Sequence, residues 1–299
     1  MILIVGASGF LGRDVTKQLL SKGKQVRLLV RTASKVEDLQ QAGAEVMQGD
    51  LIDPTSLLRA CQSVDRVFAA AHSILGRGQY KSEAVDDAGH RALIDAAKAA
   101  GVARFVYTSI LGVAPHHPVD FWRTKYHIEE YLKASGMSYT ILRPSSFMEL
   151  HAHLLNGKSI LENGKTRMLG KGTKLRNFVA ARDVALLAVR ALLDPKLKNR
   201  TIDIGGPQNL TNNHVAELYG KIAGVTPKIS YMPPFMAKAM SVILKPFQPG
   251  LSRIMYLDSL PDDAFSETFD PAILLAQFPI QLTTLEEFIH DRIAEAKHI

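Results

Sequence analysis

Cysteine is almost missing from this sequence: Cys61 is the single one among 299 residues. That excludes an intramolecular disulfide framework and any zinc site built on thiolates, and it leaves Cys61 as a small apolar residue for the interior. Long apolar runs are missing as well. No stretch approaches the ~18 uninterrupted apolar residues that a transmembrane helix needs. The chain begins Met1-Ile2-Leu3-Ile4-Val5-Gly6, without the basic segment and longer apolar stretch of a signal peptide. A cytoplasmic protein is the expectation. Runs of five or more basic residues do not occur, although Lys and Arg outnumber Asp and Glu by 36 to 29 and leave a net charge of +7. Scattered cations describe a solvated surface, so no nucleic-acid partner is expected. Gly-x-Ser-x-Gly is absent, which removes support for a hydrolase elbow. His151-x-His153 has no cysteine or clustered carboxylates beside it, so no metal site is expected.

What the chain does have is 46% apolar and 22% charged residues, enough for a deep core. Its first half alternates short apolar runs with helical periodicity. Strands are expected at Ile2–Val5, Val26–Val30, Glu45–Met47, Arg66–Ala71, Arg104–Ser109 and Tyr139–Leu142. Between them, helices are expected from Leu11 to Gly23, over Ser34–Gln41, from Pro54 to Ala60, over Lys81–Ala100 and over Phe121–Ser135. Near-continuous apolar strands alternating with helices mean a parallel sheet covered on both faces. The rhythm breaks after Pro144, and one helix (Arg182–Leu193) and one strand (Thr201–Ile204) read as a return to the sheet. The expected fold is α/β, a doubly wound parallel-sheet Rossmann domain over 1–145 plus about 179–205, with a smaller C-terminal substrate or cap lobe over about 146–178 and 206–299.

Gly6-Ala7-Ser8-Gly9-Phe10-Leu11-Gly12 lies directly between the first strand and the first helix. A glycine-rich turn there lets main-chain amides approach a pyrophosphate, with the helix N-terminus adding positive potential. The end of the second strand selects the dinucleotide. An NAD site places Asp or Glu there for the ribose 2′-hydroxyl; this chain has Arg31, with Lys35 close behind. A guanidinium clamps a 2′-phosphate and stacks on adenine, so NADP(H) is the expected cofactor. Asp50 and Leu51 after the third strand are placed to meet the adenine. Ala70, Ala71 and His72 after the fourth lead toward the nicotinamide.

These segments resemble the atypical short-chain dehydrogenase/reductases, specifically the NmrA-like NAD(P)-binding branch. The resemblance rests on GASGFLG at the N-terminus, VRT after the second strand, GDLIDP after the third, GVARFVYTS into the fifth, SYTILRPSSF at the sixth, and NFVAARDVA around Asp183. It implies NADPH-dependent reductases of quinones, aldehydes and phenolic or dye-like compounds, together with members that bind the cofactor only to sense redox state. Short-chain dehydrogenases use Ser, Tyr and Lys, the Lys four residues after the Tyr. Here Ser109 ends the fifth strand and Lys125 follows, but Phe121 stands in the tyrosine's place. Phenylalanine has no proton to give. Lys125 then holds the nicotinamide ribose or donates the proton itself, as a lysine does in the isoflavone-reductase relatives, with Ser109 beside it. His116 and His117 are placed to swing toward substrate, whereas Tyr126 and His127 point elsewhere. Pro144 and Phe147 would frame the nicotinamide ring.

Two readings follow. One is an NADPH-dependent oxidoreductase that transfers hydride to a small, largely apolar carbonyl, quinone or enone. The other is a non-catalytic NADP(H)-binding redox sensor or assembly factor presenting its second lobe to a protein partner. A sugar-nucleotide epimerase is weakened by the missing tyrosine. In the second lobe Met232, Met236, Met240 and Met255, joined by Phe235 and Phe247, read as lobe core or as the lining for an irregular apolar ligand. With Lys238, Lys245 and Arg253 they also permit a membrane-surface segment.

Overall fold

The computed structural model describes residues 1–260 and 267–296; the parts of the expected second lobe at 261–266 and 297–299 lie outside the described residues. In chain order the first elements are β1 (Ile2–Val5), α1 (Phe10–Ser21), β2 (Val26–Val30), α2 (Glu37–Gln41), β3 (Glu45–Gln48), α3 (Pro54–Ala60) and β4 (Arg66–Ala69). Then come α4 (His90–Ala99), β5 (Arg104–Thr108), α5 (Asp120–Ala134), β6 (Tyr139–Pro144) and β7 (Ser146–Phe147). They are followed by α6 (Lys158–Asn163), β8 (Lys165–Leu169), β9 (Leu175–Val179), α7 (Ala181–Leu193), β10 (Arg200–Ile204) and β11 (Asn209–Thr211). The chain closes with α8 (Asn212–Ala223), β12 (Lys228–Met232), α9 (Pro234–Leu244), α10 (Pro249–Ser259), α11 (Pro271–Leu275) and α12 (Leu285–Ala296).

Two compact units result. The first holds Met1–Arg143, Val184–Ile202 and Phe247–Gly250; the second holds Pro144–Asp183, Asp203–Pro246 and the described residues from Leu251 on. A seven-stranded sheet in the order β10-β6-β5-β4-β1-β2-β3 organises the first. Its pairings from β3 through β1 to β6 are parallel, with Ile4 of β1 opposite Leu28 on one side and Phe68 on the other. Every residue of β1 is buried, as a strand covered on both faces requires. Leu11, Val15 and Leu19, at four-residue spacing, bury one face of α1, and each such side chain stabilises the unit by roughly 1.5–3 kcal/mol. Gly23, with φ +66°, turns the chain out of that helix. Sequence order reverses where β4 and β2 flank β1, which is where open α/β sheets bind ligands at the carboxyl ends of their strands. The Rossmann expectation holds.

The single helix expected over Lys81–Ala100 is instead two. Glu83–Gly89 winds as a π-helix before α4 begins at His90; a wider turn puts a carbonyl five residues back within reach, and His90 Nδ1 meets the Val85 carbonyl at 2.9 Å. Likewise the expected helix over Ser34–Gln41 starts as a 3₁₀ turn, Ala33–Val36.

The second unit contains two small sheets that the apolar pattern does not announce: β11-β9-β7 and the parallel pair β12-β8. Met148, Phe178, Val215, Tyr219, Leu285 and Phe288 form its core. Asp183 ties down a distant segment there, accepting from the Thr283 amide at 2.8 Å and its hydroxyl at 2.9 Å. Among the described residues no helix is long and apolar enough to cross a membrane.

Candidate functional site

β1 is followed by Gly6, whose φ of +102° only glycine adopts readily. A Cβ on Gly6 would come within 2.6 Å of the Ala71 amide nitrogen, and one on Gly12 within 2.2 Å of the Gly6 carbonyl. The turn is therefore pinned between the end of β4 and the first turn of α1, with no room for a side chain at either glycine. Gly9 differs: a Cβ there would touch only the Gly6 carbonyl, at 3.5 Å. It is the N-cap of α1, with no side chain capping the helix and no acidic residue in the first turn. The Gly9 amide donates to the Gly6 carbonyl at 3.1 Å, but no side chain covers the amides of the first turn, so the positive end of the dipole is open to an anion. Ser8, Gly9 and Phe10 are exposed, while Leu11 and Gly12 are buried, so Leu11 offers a ligand its main chain only. The cradle fits a pyrophosphate.

Past β2, Arg31 is exposed and its guanidinium lies 4.6 Å from the centroid of the Tyr80 ring. The planar face is already stacked, which leaves the N–H edge to meet an anion. Lys35 is exposed too, and its carbonyl accepts from Arg13 at 2.8 Å. Arg13 is a third cation in this region, paired with Asp38 at 2.5 Å, and it holds that carboxyl below the usual carboxylate range. After β3, Asp50 closes its own turn, accepting from the Ile52 amide at 3.3 Å while its amide donates to Ser56 Oγ at 3.0 Å. Leu51 is buried, and Ala70, Ala71 and His72 continue from the end of β4.

A different chemistry gathers around the end of β5. Lys125 of α5 is buried, and its ammonium donates to the Thr108 carbonyl at 3.2 Å. The same Nζ lies 4.9 Å from the Tyr107 ring centroid and 5.6 Å from that of Phe121. Ser109, adjacent to Thr108, is buried with its hydroxyl unpartnered, and so are the hydroxyls of Thr108 and Tyr107. Asp86, from the π-helical turn, is fully buried and accepts from the Ser73 amide at 3.1 Å and the Ser82 hydroxyl at 2.7 Å. Glu129 is buried and forked onto Arg143 at 2.9 and 2.6 Å.

His90 lies between these groups. Val85 can only accept, so Nδ1 carries the proton, and Nε2 is left as a buried acceptor with no partner. Its ring meets Tyr107 edge-on at 5.4 Å. Burial, reinforced by the nearby Lys125 charge, drives the His90 pKa down to about 4. Burial also lowers Lys125, against the pull of Asp86 and Glu129, and raises the Tyr107 phenol well above its usual value. Each unpaired buried polar group costs about 1–3 kcal/mol. Four of them lie in the neighbourhood of one buried ammonium, a cost that makes this region a candidate site.

Residues 6–195 match the family model described as NAD(P)H-binding. The chain belongs to the NAD(P)H-binding family. It is 34% identical over 225 residues to an NAD(P)H azoreductase of Xenophilus azovorans, covering 75% of this chain and 74% of that protein. It is 30% identical over 294 residues to a photosystem II assembly factor, Ycf39, of Trieres chinensis, covering 96% and 91%. Among solved structures, an NADPH-dependent quinone oxidoreductase of Escherichia coli complexed with NADPH superposes with a TM-score of 0.76 at 26% identity, over 98% of this chain and 100% of that one. The resemblance read from the motifs stands at the level of this family.

Within this NAD(P)H-binding chain, Lys125 meets the carbonyl of Thr108, the last residue of β5, which Ser109 follows, and Gly6 through Gly12 form one turn. Pro144 and Phe147 belong to the second unit. Of the two loop histidines, His117 departs from expectation. His117 is buried and stacked on Trp122 at 5.0 Å, accepting from the Val119 amide at 3.1 Å; that packing fixes the ring and corrects the expectation that it swings toward substrate. His116 is exposed. In the second unit, His153 meets the Tyr219 hydroxyl at 3.1 Å. Among the described residues, no group of His, Cys, Asp and Glu is arranged to hold a metal. The sequence reading missed Asp86, His90 and Tyr107. Asp86 and His90 share a helical stripe with the buried Leu93 and Ala97, and an acid and an imidazole on an apolar stripe were the signal on offer.

Proposed function

We propose that the protein is an NADPH-dependent oxidoreductase acting on a small, largely apolar carbonyl, quinone or enone. The buried Lys125 ammonium, held on the carbonyl of Thr108, with the unpartnered hydroxyl of Ser109 on the next residue, carries this reading. When bound, NADPH supplies the hydride. Gly6, Ser8, Gly9, Phe10, Leu11 and Gly12 hold the pyrophosphate and ribose, and Arg31 and Lys35 meet the 2′-phosphate. Asp50 and Leu51 border the adenine, and Ala70 and Ala71 the path toward the nicotinamide. Lys125 keeps a proton at Nζ that burial has made easier to release, and it passes that proton to the substrate oxygen while Ser109 donates a hydrogen bond to the same atom. The dry surroundings strengthen both interactions.

The quinone oxidoreductase and azoreductase relatives support this reading. A second reading is supported by Phe121, which is buried against Lys125 and offers no proton: an NADP(H)-binding sensor or assembly factor, as the likeness to a photosystem II assembly factor allows. Following NADPH oxidation against a panel of quinones, aldehydes and azo dyes separates the two. Turnover of an apolar quinone is the expected result. Tight NADPH binding with no turnover across the panel would overturn the enzyme in favour of the sensor.

A further inference from the structure

Most helices of this protein bury their large apolar residues; α9 does the reverse. Its inward positions are Ala237 and Ser241, 0% and 4% exposed, small residues that let the backbone lie close to the second unit. Its outward positions carry the bulk: Phe235 is 73% exposed, Val242 70%, Ile243 61% and Met236 43%. With Ala239, also exposed, these residues fall at i, i+1, i+4, i+7 and i+8, one continuous stripe opposite the buried pair. Such a stripe on a chain of otherwise ordinary surface marks a place that something apolar covers.

The charges around it say what. From Leu218 to Leu257 the sequence contains no Asp or Glu, while Lys221, Lys228, Lys238 and Lys245 are all exposed. Lys238 and Lys245, seven residues apart, flank the stripe on one side of α9. A second copy of this chain would bring those lysines against their own kind, which is repulsive. An anionic lipid surface is complementary on both counts: acyl chains for the stripe and headgroups for the lysines, whose long stems reach up past the apolar level. With eleven residues, α9 extends only about 16 Å, roughly half the hydrocarbon thickness of a bilayer. Pro246 follows directly. The helix is the right length to lie in a membrane interface and too short to cross it.

We propose that α9 docks this protein onto anionic lipid membranes, lying in the interface with Phe235, Met236, Val242 and Ile243 inserted and Lys238 and Lys245 on the headgroups. The proposal stands apart from the redox reading and survives its failure. The test is co-sedimentation of the full chain with vesicles of phosphatidylglycerol or of phosphatidylcholine. The expected result is binding to the first and not the second. Reversing both flanking lysines (Lys238→Glu with Lys245→Glu) should weaken that binding by about tenfold or more. Removing the apolar wedge (Phe235→Ser with Val242→Ser) should do the same. NADPH titration reports whether each variant is folded, and the lysine pair lies wholly on the surface should the wedge variant fail. A chain that stays in the supernatant with both lipids overturns the proposal, and so do variants that bind as the parent does. A dimer that Phe235→Ser dissociates, without lipid binding, overturns it in favour of self-association.

Discussion

Around Gly6–Gly12 the groups offered to a ligand are main-chain amides at an exposed, uncapped helix end; around Lys125 they are side chains removed from water. Both regions lie in the first unit, yet they depend on opposite properties. The turn needs the absence of side chains, because a single added methyl group meets backbone at 2.2 Å, and it contains nothing that titrates. The Lys125 region tolerates its side chains but leaves them unpaired, so protonation rather than shape is what its surroundings control. On the proposed function, one region recognises charge by geometry and the other prepares charge by desolvation.

The most severe way to break this comparison is Gly12→Ala. The new Cβ collides with the Gly6 carbonyl, and α1 must move; a loss of about 3 kcal/mol or more in urea unfolding is expected, together with loss of NADPH binding by fluorescence titration. A variant that keeps both would refute the steric account of the turn. Next is Lys125→Met, which removes a buried charge without opening a hole. Turnover is expected to fall by about a hundredfold, while thermal melting at pH 7 is unchanged or higher, since the desolvated ammonium no longer has to be accommodated. Equal turnover would remove Lys125 from the chemistry.

His90 gives the third test, and its sign is fixed by its neutral state. The unfolded imidazole takes up a proton near 6.5 and the folded one near 4, so the unfolded chain binds more protons between those values. Stability should therefore fall as pH drops from about 6.5 toward 4, by roughly 3 kcal/mol at most. His90→Gln keeps a donor for the Val85 carbonyl and should flatten that part of the profile in urea melts taken at pH 7 and pH 5. Last comes Arg31→Ala: about a tenfold loss of NADPH affinity with NADH affinity unchanged, read by paired titrations. Equal losses for both cofactors would mean that Arg31 serves something other than a 2′-phosphate.

The glycine turn could be read from sequence because its cause is local: a strand, a helix and three glycines in seven residues leave few other conformations. The strands could be read for a related reason, since parallel strands buried on both faces are continuous apolar runs. The Lys125 region was legible only in part. Lys125, Ser109 and Phe121 came from the resemblance to the short-chain dehydrogenases, but Tyr107 looks like any aromatic residue of a buried strand, and Asp86 and His90 sit in a segment whose pattern reads as one straight helix. The π-helical turn that positions them has no period of its own in the sequence. Nor do the short strands β7, β11 and β12, whose partners lie far along the chain and whose formation is decided by packing rather than propensity.

The first unit is not contiguous. Its last large segment, Val184–Ile202, arrives only after forty residues of the second unit, Pro144–Asp183, have been laid down, and it brings the strand that covers the β6 edge of the sheet. On a ribosome emitting the chain from its N-terminus, six parallel strands emerge before that edge can be closed. The nascent first unit therefore waits with an open, apolar strand exposed, the state in which chains pair wrongly with each other. Synthesis halted just before residue 184 should yield a species that chaperones retain, and release of about twenty residues more should free it.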